Sequence, residues 1–153
     1  ILQFVRKADW EYLDFLIIDM PPGTGDVQIT LASELKVTGA LMVCMQQELV
    51  IGDVVRSIAH LKEKQIPIVG IVNNMTSFCC EKCGHEQIIF SGLGNGLDDI
   101  DVLANLPIDK DFCSSGNKGV PYMLSHQTGL LYQEFNNLAD TLEIFDPNPD
   151  KLI

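Results

Sequence analysis

Hydrophobic and polar positions change period along the chain, and each change marks an element. Phe15, Leu16, Ile17 and Ile18 form a continuous apolar run that ends at Asp19 and the pair Pro21 and Pro22. Such a run predicts a strand covered on both faces, as in a parallel sheet, and paired prolines end its ladder. Val27, Leu31 and Leu35 then recur every fourth residue, beside Ile29 and Ala32, which predicts a helix over 27–35 with Asp26 at its start. The apolar run 39–45 predicts a second strand. Val50, Val54, Ile58 and Leu61 return to helical spacing and predict a helix over 50–64. A third buried strand is expected over 66–72, with Pro67 at its beginning, where a missing N–H does least harm. The order strand, helix, strand, helix, strand is βαβαβ and predicts an α/β fold with a mostly parallel sheet. Asp19 then stands at the carboxyl end of a central strand, where open α/β sheets bind ligands.

The rhythm breaks over 78–90. This stretch carries clustered cysteines and then the β-prone Gln87, Ile88, Ile89 and Phe90, and it predicts an inserted knuckle or hairpin. A glycine-rich loop is expected over 91–96, a short helix over 97–104, a short strand at 106–108 and a loop over 111–116. The last helix is expected over 127–145, burying Leu131, Phe135, Leu138, Leu142 and Phe145, with Pro147 and Pro149 ending it. No internal repeat is visible. One domain is expected over 1–153, with 76–90 as a cysteine-bearing insertion within it. The chain opens in mid-pattern and without Met, so it is expected to be a piece of a longer protein, incomplete at the N-terminus.

Composition narrows the function classes. Hydrophobic residues are 46% and charged residues 20%, as in a folded domain rather than a disordered one. Ten basic residues against 21 acidic ones give a net charge of -11. That disfavours nucleic acid, which needs a dense cationic face, and an anionic membrane surface for the same reason. No apolar stretch is long enough to span a bilayer. A nucleotide phosphate stays open, because backbone N–H groups hold it without net positive charge.

The five cysteines are Cys44, Cys79, Cys80, Cys83 and Cys113. An odd number with three packed closely is a poor disulfide framework and fits a metal site in a reducing compartment. Cys44 lies in an apolar run and reads as a buried strand residue. Cys80 and Cys83 form a C-x-x-C pair followed by Gly84, a spacing that lets two thiolates meet one metal across a tight turn. The pair fits half of a zinc knuckle, half of an iron–sulfur site, or a redox dithiol. Cys79 is expected to point away from it. Two chains, each giving Cys80 and Cys83, would complete a four-sulfur site on a twofold axis.

The second candidate site is the segment from Asp19 to Asp26. An aspartate at the end of a parallel strand suits Mg²⁺ and its water shell, and Gly23 and Gly25 let the loop approach a phosphate; the alternative is a turn that Asp19 merely caps. Asn73 and Asn74 follow the third strand, where either amide suits an adenine edge or its own loop. Asp53 and Arg56 read as a surface pair, and Asp98, Asp99 and Asp101 as a wet surface.

Residues 13–28, with the string D-x-P-P-G-T-G-D-V-Q, resemble the Walker B and switch II segment of the Mrp/ApbC family of iron–sulfur cluster carrier ATPases, within the MinD/ParA class of P-loop proteins. The resemblance continues through 38–40, 69–75 and the C-x-x-C-G at 80–84, and reaches 89–90, 106–109 and 119–121. It implies a three-layer P-loop NTPase-like fold. It also implies that Asp19 helps place Mg²⁺ and the attacking water, and that Pro22, Gly23 and Thr24 sense the γ-phosphate. Asn74 would lie near adenine, and Pro107 and Asp109 in the loop that completes the base pocket. Cys80 and Cys83 would bridge a [4Fe-4S] cluster across a homodimer that passes it to apo iron–sulfur proteins, with ATP adjusting the dimer. This protein is expected to be cytoplasmic, in a reducing compartment, with an organellar location left open. Zinc is the alternative metal, in a structural or partner-binding module, and a MinD/ParA-type regulatory ATPase is a further alternative. The family's phosphate loop and its lysine are absent from this chain, which is therefore expected not to hydrolyse ATP. Asn73 stands where the family often has glutamate, Gln46 where proline is usual, and Cys79 is an added thiol.

Overall fold

A computed structural model describes residues 2–21, 25–80, 82–90 and 96–145. Two helices come first, α1 (Leu2–Lys7) and α2 (Asp26–Glu34). They are followed by β1 (Ala40–Cys44), α3 (Glu48–Glu63), β2 (Ile68–Cys79) and β3 (Glu86–Ile88). The chain then forms β4 (Val102–Ile108), α4 (Lys110–Lys118), α5 (Tyr122–Ser125) and α6 (Leu130–Ile144).

The central strand is β2. It pairs in parallel with β1 and with β4, and its last residues pair antiparallel with β3. Phe78 faces both Gln87 of β3 and Ile108 of β4. The hairpin strand therefore lies on the same edge of β2 as β1, beyond its end. Gly70 permits the close approach of β4, since a Cβ there would stand 2.9 Å from the Asp101 carbonyl oxygen.

Helices cover both faces of the sheet, which makes three layers. Alternation along β2 sends Ile71 to one face and Val72 to the other. On the first face Ile71 and Cys44 pack with Ile51, Val54 and Ile58 of α3, and with Leu97. On the second Val72, Ala104 and Leu106 pack with Tyr122 and with Leu131 and Leu138 of α6. The helical spacing of Val50, Val54 and Ile58 thus buries one stripe, while Asp53 and Arg56 pair on the solvent side.

Four expectations are corrected. Residues 15–18 form no strand. Phe15 is 54% and Ile17 84% exposed, and Asp19 is exposed on the same unpaired segment. The run has the composition of a buried strand, but among the described residues no neighbour offers it a ladder, and apolar composition alone does not make one. Asp19 accordingly stands at no strand end. Residues 97–104 form no helix: Leu97 is fully buried in a turn, and Val102, Leu103 and Ala104 begin β4. A short apolar run reads equally as helix or strand, and the pairing with β2 decides it. Residues 111–116 lie within helix α4 rather than a loop. Asp109 caps its start and Gly119, left-handed at φ 67°, ends it. The last helix begins at Leu130 rather than 127, after Gly129.

Candidate functional site

The carboxyl half of β2 runs past the end of β1 and carries the cysteine pair. After Cys79 the chain reverses into β3. Cys80 N–H donates to the His85 carbonyl at 2.9 Å, and Gly84 N–H donates to the Cys80 carbonyl at 2.8 Å. Gly84 takes φ 70°, a left-handed conformation that glycine adopts at little cost. Cys83 is exposed and Cys80 partly so, which places the pair at the hairpin tip, as the C-x-x-C-G spacing predicts. The Cys79 thiol turns back to the Gly84 carbonyl at 3.6 Å. Ser77 Oγ donates to Glu86 Oε1 at 2.6 Å and ties the two strands together.

Among the described residues no group of three or more His, Cys, Asp or Glu converges on a metal-sized site. The tip itself carries the two thiols of Cys80, partly exposed, and Cys83, exposed.

The Asn74 end of the sheet lies on the same strand. Asn74 faces Leu106 of β4, so Pro107 and Asp109 follow directly beside it. Asp109 Oδ1 accepts the N–H groups of Asp111 at 2.7 Å and Phe112 at 2.8 Å. This cap anchors the loop leaving β4. Tyr122 packs behind it, stacked on His126 with ring centroids 4.3 Å apart. Burial raises the Tyr122 hydroxyl above its ordinary range, and the charges of Asp109 and Asp111 raise it further.

Asn73 is not available to read a ligand. It is 2% exposed, and its side-chain amide donates to Asn105 Oδ1 at 3.0 Å. Asn105 and Glu134, whose Oε2 accepts the Asn105 N–H at 2.9 Å, were not among the candidate residues. A polar Asn105 inside the apolar run 102–108 was the available signal. Pro22, Gly23 and Thr24 lie outside the described residues. Their flanks are tied together, since Gln28 Nε2 donates to the Pro21 carbonyl.

Two of the concavities lined by the described residues lie at opposite ends of the sheet. One, of about 280 Å³, lies between the hairpin at Cys79 and Glu86 and the loop at Pro107 and Asp109. The other, of about 400 Å³, lies at the amino ends of β2 and β4, by Pro67 and Asp101. The larger one is at the wrong end of the sheet, because α/β sheets bind ligands at the carboxyl ends of their strands.

Comparison with known proteins agrees with this arrangement. Residues 1–143 match the family model described as ParA: NUBPL iron-transfer P-loop NTPase. An iron–sulfur cluster carrier protein of Aquifex aeolicus is 34% identical over 147 residues, covering 93% of this chain and 40% of that protein. An iron–sulfur cluster carrier protein of Pseudomonas fragi is 36% identical over 142 residues, covering 88% and 49%. An Arabidopsis thaliana iron–sulfur protein required for mitochondrial NADH dehydrogenase is 30% identical over 161 residues, covering 100% and 51%. The chain thus spans about half the length, or less, of these relatives. A nucleotide-binding protein of Archaeoglobus fulgidus, solved with ADP, superposes with a TM-score of 0.66 at 33% identity, over 77% of this chain and 50% of that one. The cell-division ATPase MinD of Pyrococcus furiosus shares the fold, with a TM-score of 0.56 at 20% identity over 70% of this chain and 43% of that one. With its three-layer sheet and its cysteine hairpin, the chain belongs to the NUBPL iron-transfer P-loop NTPases, as an Mrp/ApbC-like member of the MinD/ParA superfamily.

Proposed function

We propose that this chain is the cluster-bearing part of an iron–sulfur carrier, which holds a [4Fe-4S] cluster as cargo and passes it to apo-proteins. The observation that carries the reading is the position of Cys80 and Cys83 at the exposed tip of a hairpin built on the central strand. A cubane cluster takes four thiolates, and one tip supplies two. A homodimer with apposed tips completes the set, and labile four-sulfur ligation between copies suits a cargo that must leave. Residues 1–153 are one partial P-loop NTPase-like domain in this reading, with 76–90 as its insertion. The setting is reducing, and cytoplasmic in the simplest case.

In the same reading ATP and Mg²⁺ act on the carboxyl side of the sheet, where β2 passes Asn74 ahead of the hairpin. Asp19 helps hold Mg²⁺ through water, Pro22, Gly23 and Thr24 follow the γ-phosphate, and Asn74, Pro107 and Asp109 border the base. Asp109 contributes by fixing the loop through its helix cap. Slow ATP hydrolysis belongs to a protein that supplies the phosphate loop together with this chain.

Anaerobic reconstitution with iron and sulfide tests the cluster reading. The expected product is a dimer with a broad charge-transfer absorbance and acid-labile sulfide, both lost in the Cys80→Ala, Cys83→Ala double variant. A double variant that still binds the cluster refutes the ligand assignment. Stoichiometric zinc without labile sulfide, in protein isolated without air, would replace the reading with a zinc-stapled module.

A further inference from the structure

Strand β2 holds one non-glycine residue in the left-handed region: Met75, at φ 59°. That conformation is unfavourable for an L-residue with a side chain. Met75 is 42% exposed, so packing of its side chain does not impose it. The residue sits at a break in register. Asn74 faces Leu106, and the next paired residue, Phe78, faces Ile108. Four steps along β2 therefore match two along β4. Bulges of this kind bend a strand and re-aim the residues beyond them. Strained backbone of this sort persists where the surroundings hold it, and it gathers at functional sites.

The two sides of the break differ in kind. Before it, Val72 and Asn73 are buried between parallel strands. After it, Ser77, Phe78 and Cys79 pair with β3 and lead into Cys80 and Cys83. Thr76 anchors the far side. Its Oγ1 donates to the Leu106 carbonyl at 3.3 Å, and its own carbonyl accepts the Ile89 N–H at 2.9 Å. The direction of the whole hairpin thus depends on one backbone well, one residue from Asn74.

We propose that Met75 is a positioning residue: its left-handed backbone aims the hairpin that carries Cys80 and Cys83, and a nucleotide bound at Asn74 moves the two thiols through it. The second half rests on the nucleotide-and-cluster reading above. The joint connects ligand occupancy to cluster handling without any contact between the two ligands.

The test compares Met75→Gly and Met75→Asn, which accept the left-handed well, with Met75→Val, whose β-branch resists it. Alkylation rates of Cys80, Cys83 and Cys113 are followed by mass spectrometry in the intact protein that carries this chain, with and without MgATP. Without nucleotide, the Gly and Asn variants are expected to match the wild type. The Val variant is expected to change the Cys80 and Cys83 rates about tenfold and leave Cys113 unchanged, at an unaltered circular dichroism spectrum. A folded Val variant that labels like the wild type overturns the positioning role. With MgATP bound, as shown by calorimetry, hydrogen exchange over 76–80 should change in the wild type while 69–73 stays protected. Unchanged exchange over 76–80 overturns the coupling, and this measurement decides alone if the Val variant does not fold. Failure of MgATP to bind refutes the nucleotide reading and the coupling with it, while the nucleotide-free Gly and Val contrast still decides the positioning role.

Discussion

The side-chain amide of Asn73 donates to Asn105 Oδ1 at 3.0 Å and joins β2 to β4 at a part-buried position. On the other side the Cys44 thiol donates a long hydrogen bond, 3.9 Å, to Asn73 Oδ1. Strand register aligns the three residues in one row. Glu134 of α6 extends the row by accepting the Asn105 N–H on the outer edge of β4. A satisfied polar row holds the carboxyl ends of three strands in one register, and the loops of the candidate site leave from those ends.

Replacing Asn73 by Ala removes a buried amide and its hydrogen bond to the exposed Asn105 side chain. The expected loss is about 0.5–1.5 kcal/mol of stability, the usual net contribution of one hydrogen bond. Chemical denaturation measures it. A loss below about 0.5 kcal/mol, within the range of ordinary surface changes, would mean that the pair contributes nothing.

Asp109→Ala removes the cap of α4 and is expected to cost about 1 kcal/mol. Asp109→Asn keeps an accepting oxygen and should cost less. Urea titration of the two variants separates the cap from the charge: equal losses would show that the negative charge, not the cap, is what matters.

Exposure separates two apolar positions that look alike in the sequence. Leu138 is buried against β4, and Leu138→Ala should cost about 2–5 kcal/mol. Ile17 is 84% exposed, and Ile17→Ser in this chain should change stability by no more than about 0.5 kcal/mol. Thermal melts of the two variants check the contrast, and a large loss at Ile17 would place 15–18 in a covered strand after all.

Burial pushes the Cys44 thiol up, which keeps it protonated as well as shielded. Iodoacetamide at neutral pH is expected to label Cys79, Cys83 and Cys113 in the native protein and Cys44 only after denaturation. Peptide mapping reads the order, and early labelling of Cys44 would show that the β1 edge opens.

The Tyr122 hydroxyl is raised in the folded state by burial and by Asp109 and Asp111. The unfolded chain therefore loses this proton first. The contribution of Tyr122 is fully present below roughly pH 10, the ordinary tyrosine value, and is lost as pH rises through the higher folded value. Denaturation at increasing alkaline pH should show this fall in the wild type and a shallower one in Tyr122→Phe. Parallel pH profiles for the two proteins would remove Tyr122 as the cause.

The middle of the fold was legible because its signals are local. The four-residue spacing of Val50, Val54 and Ile58 specifies a helix face wherever that helix sits, and the runs in β1 and β2 specify buried strands. The C-x-x-C-G spacing likewise marks a hairpin tip in the sequence itself, since two thiols and a turn glycine are neighbours along the chain. The aromatic and aliphatic stripe of α6 was readable for the same reason.

What the tertiary structure alone decided concerns partners distant in sequence. Phe15 to Ile18 has strand composition, yet a strand exists only where another backbone completes its hydrogen bonds, and none of the described residues does so. Val102 to Ala104 became strand because β2 lay beside it. Asn73 became a core residue because Asn105, 32 positions away, stood opposite. The left-handed turn of Met75 is hidden from sequence altogether, for methionine has no preference for that conformation, and only the mismatch in length between two paired strands puts it there.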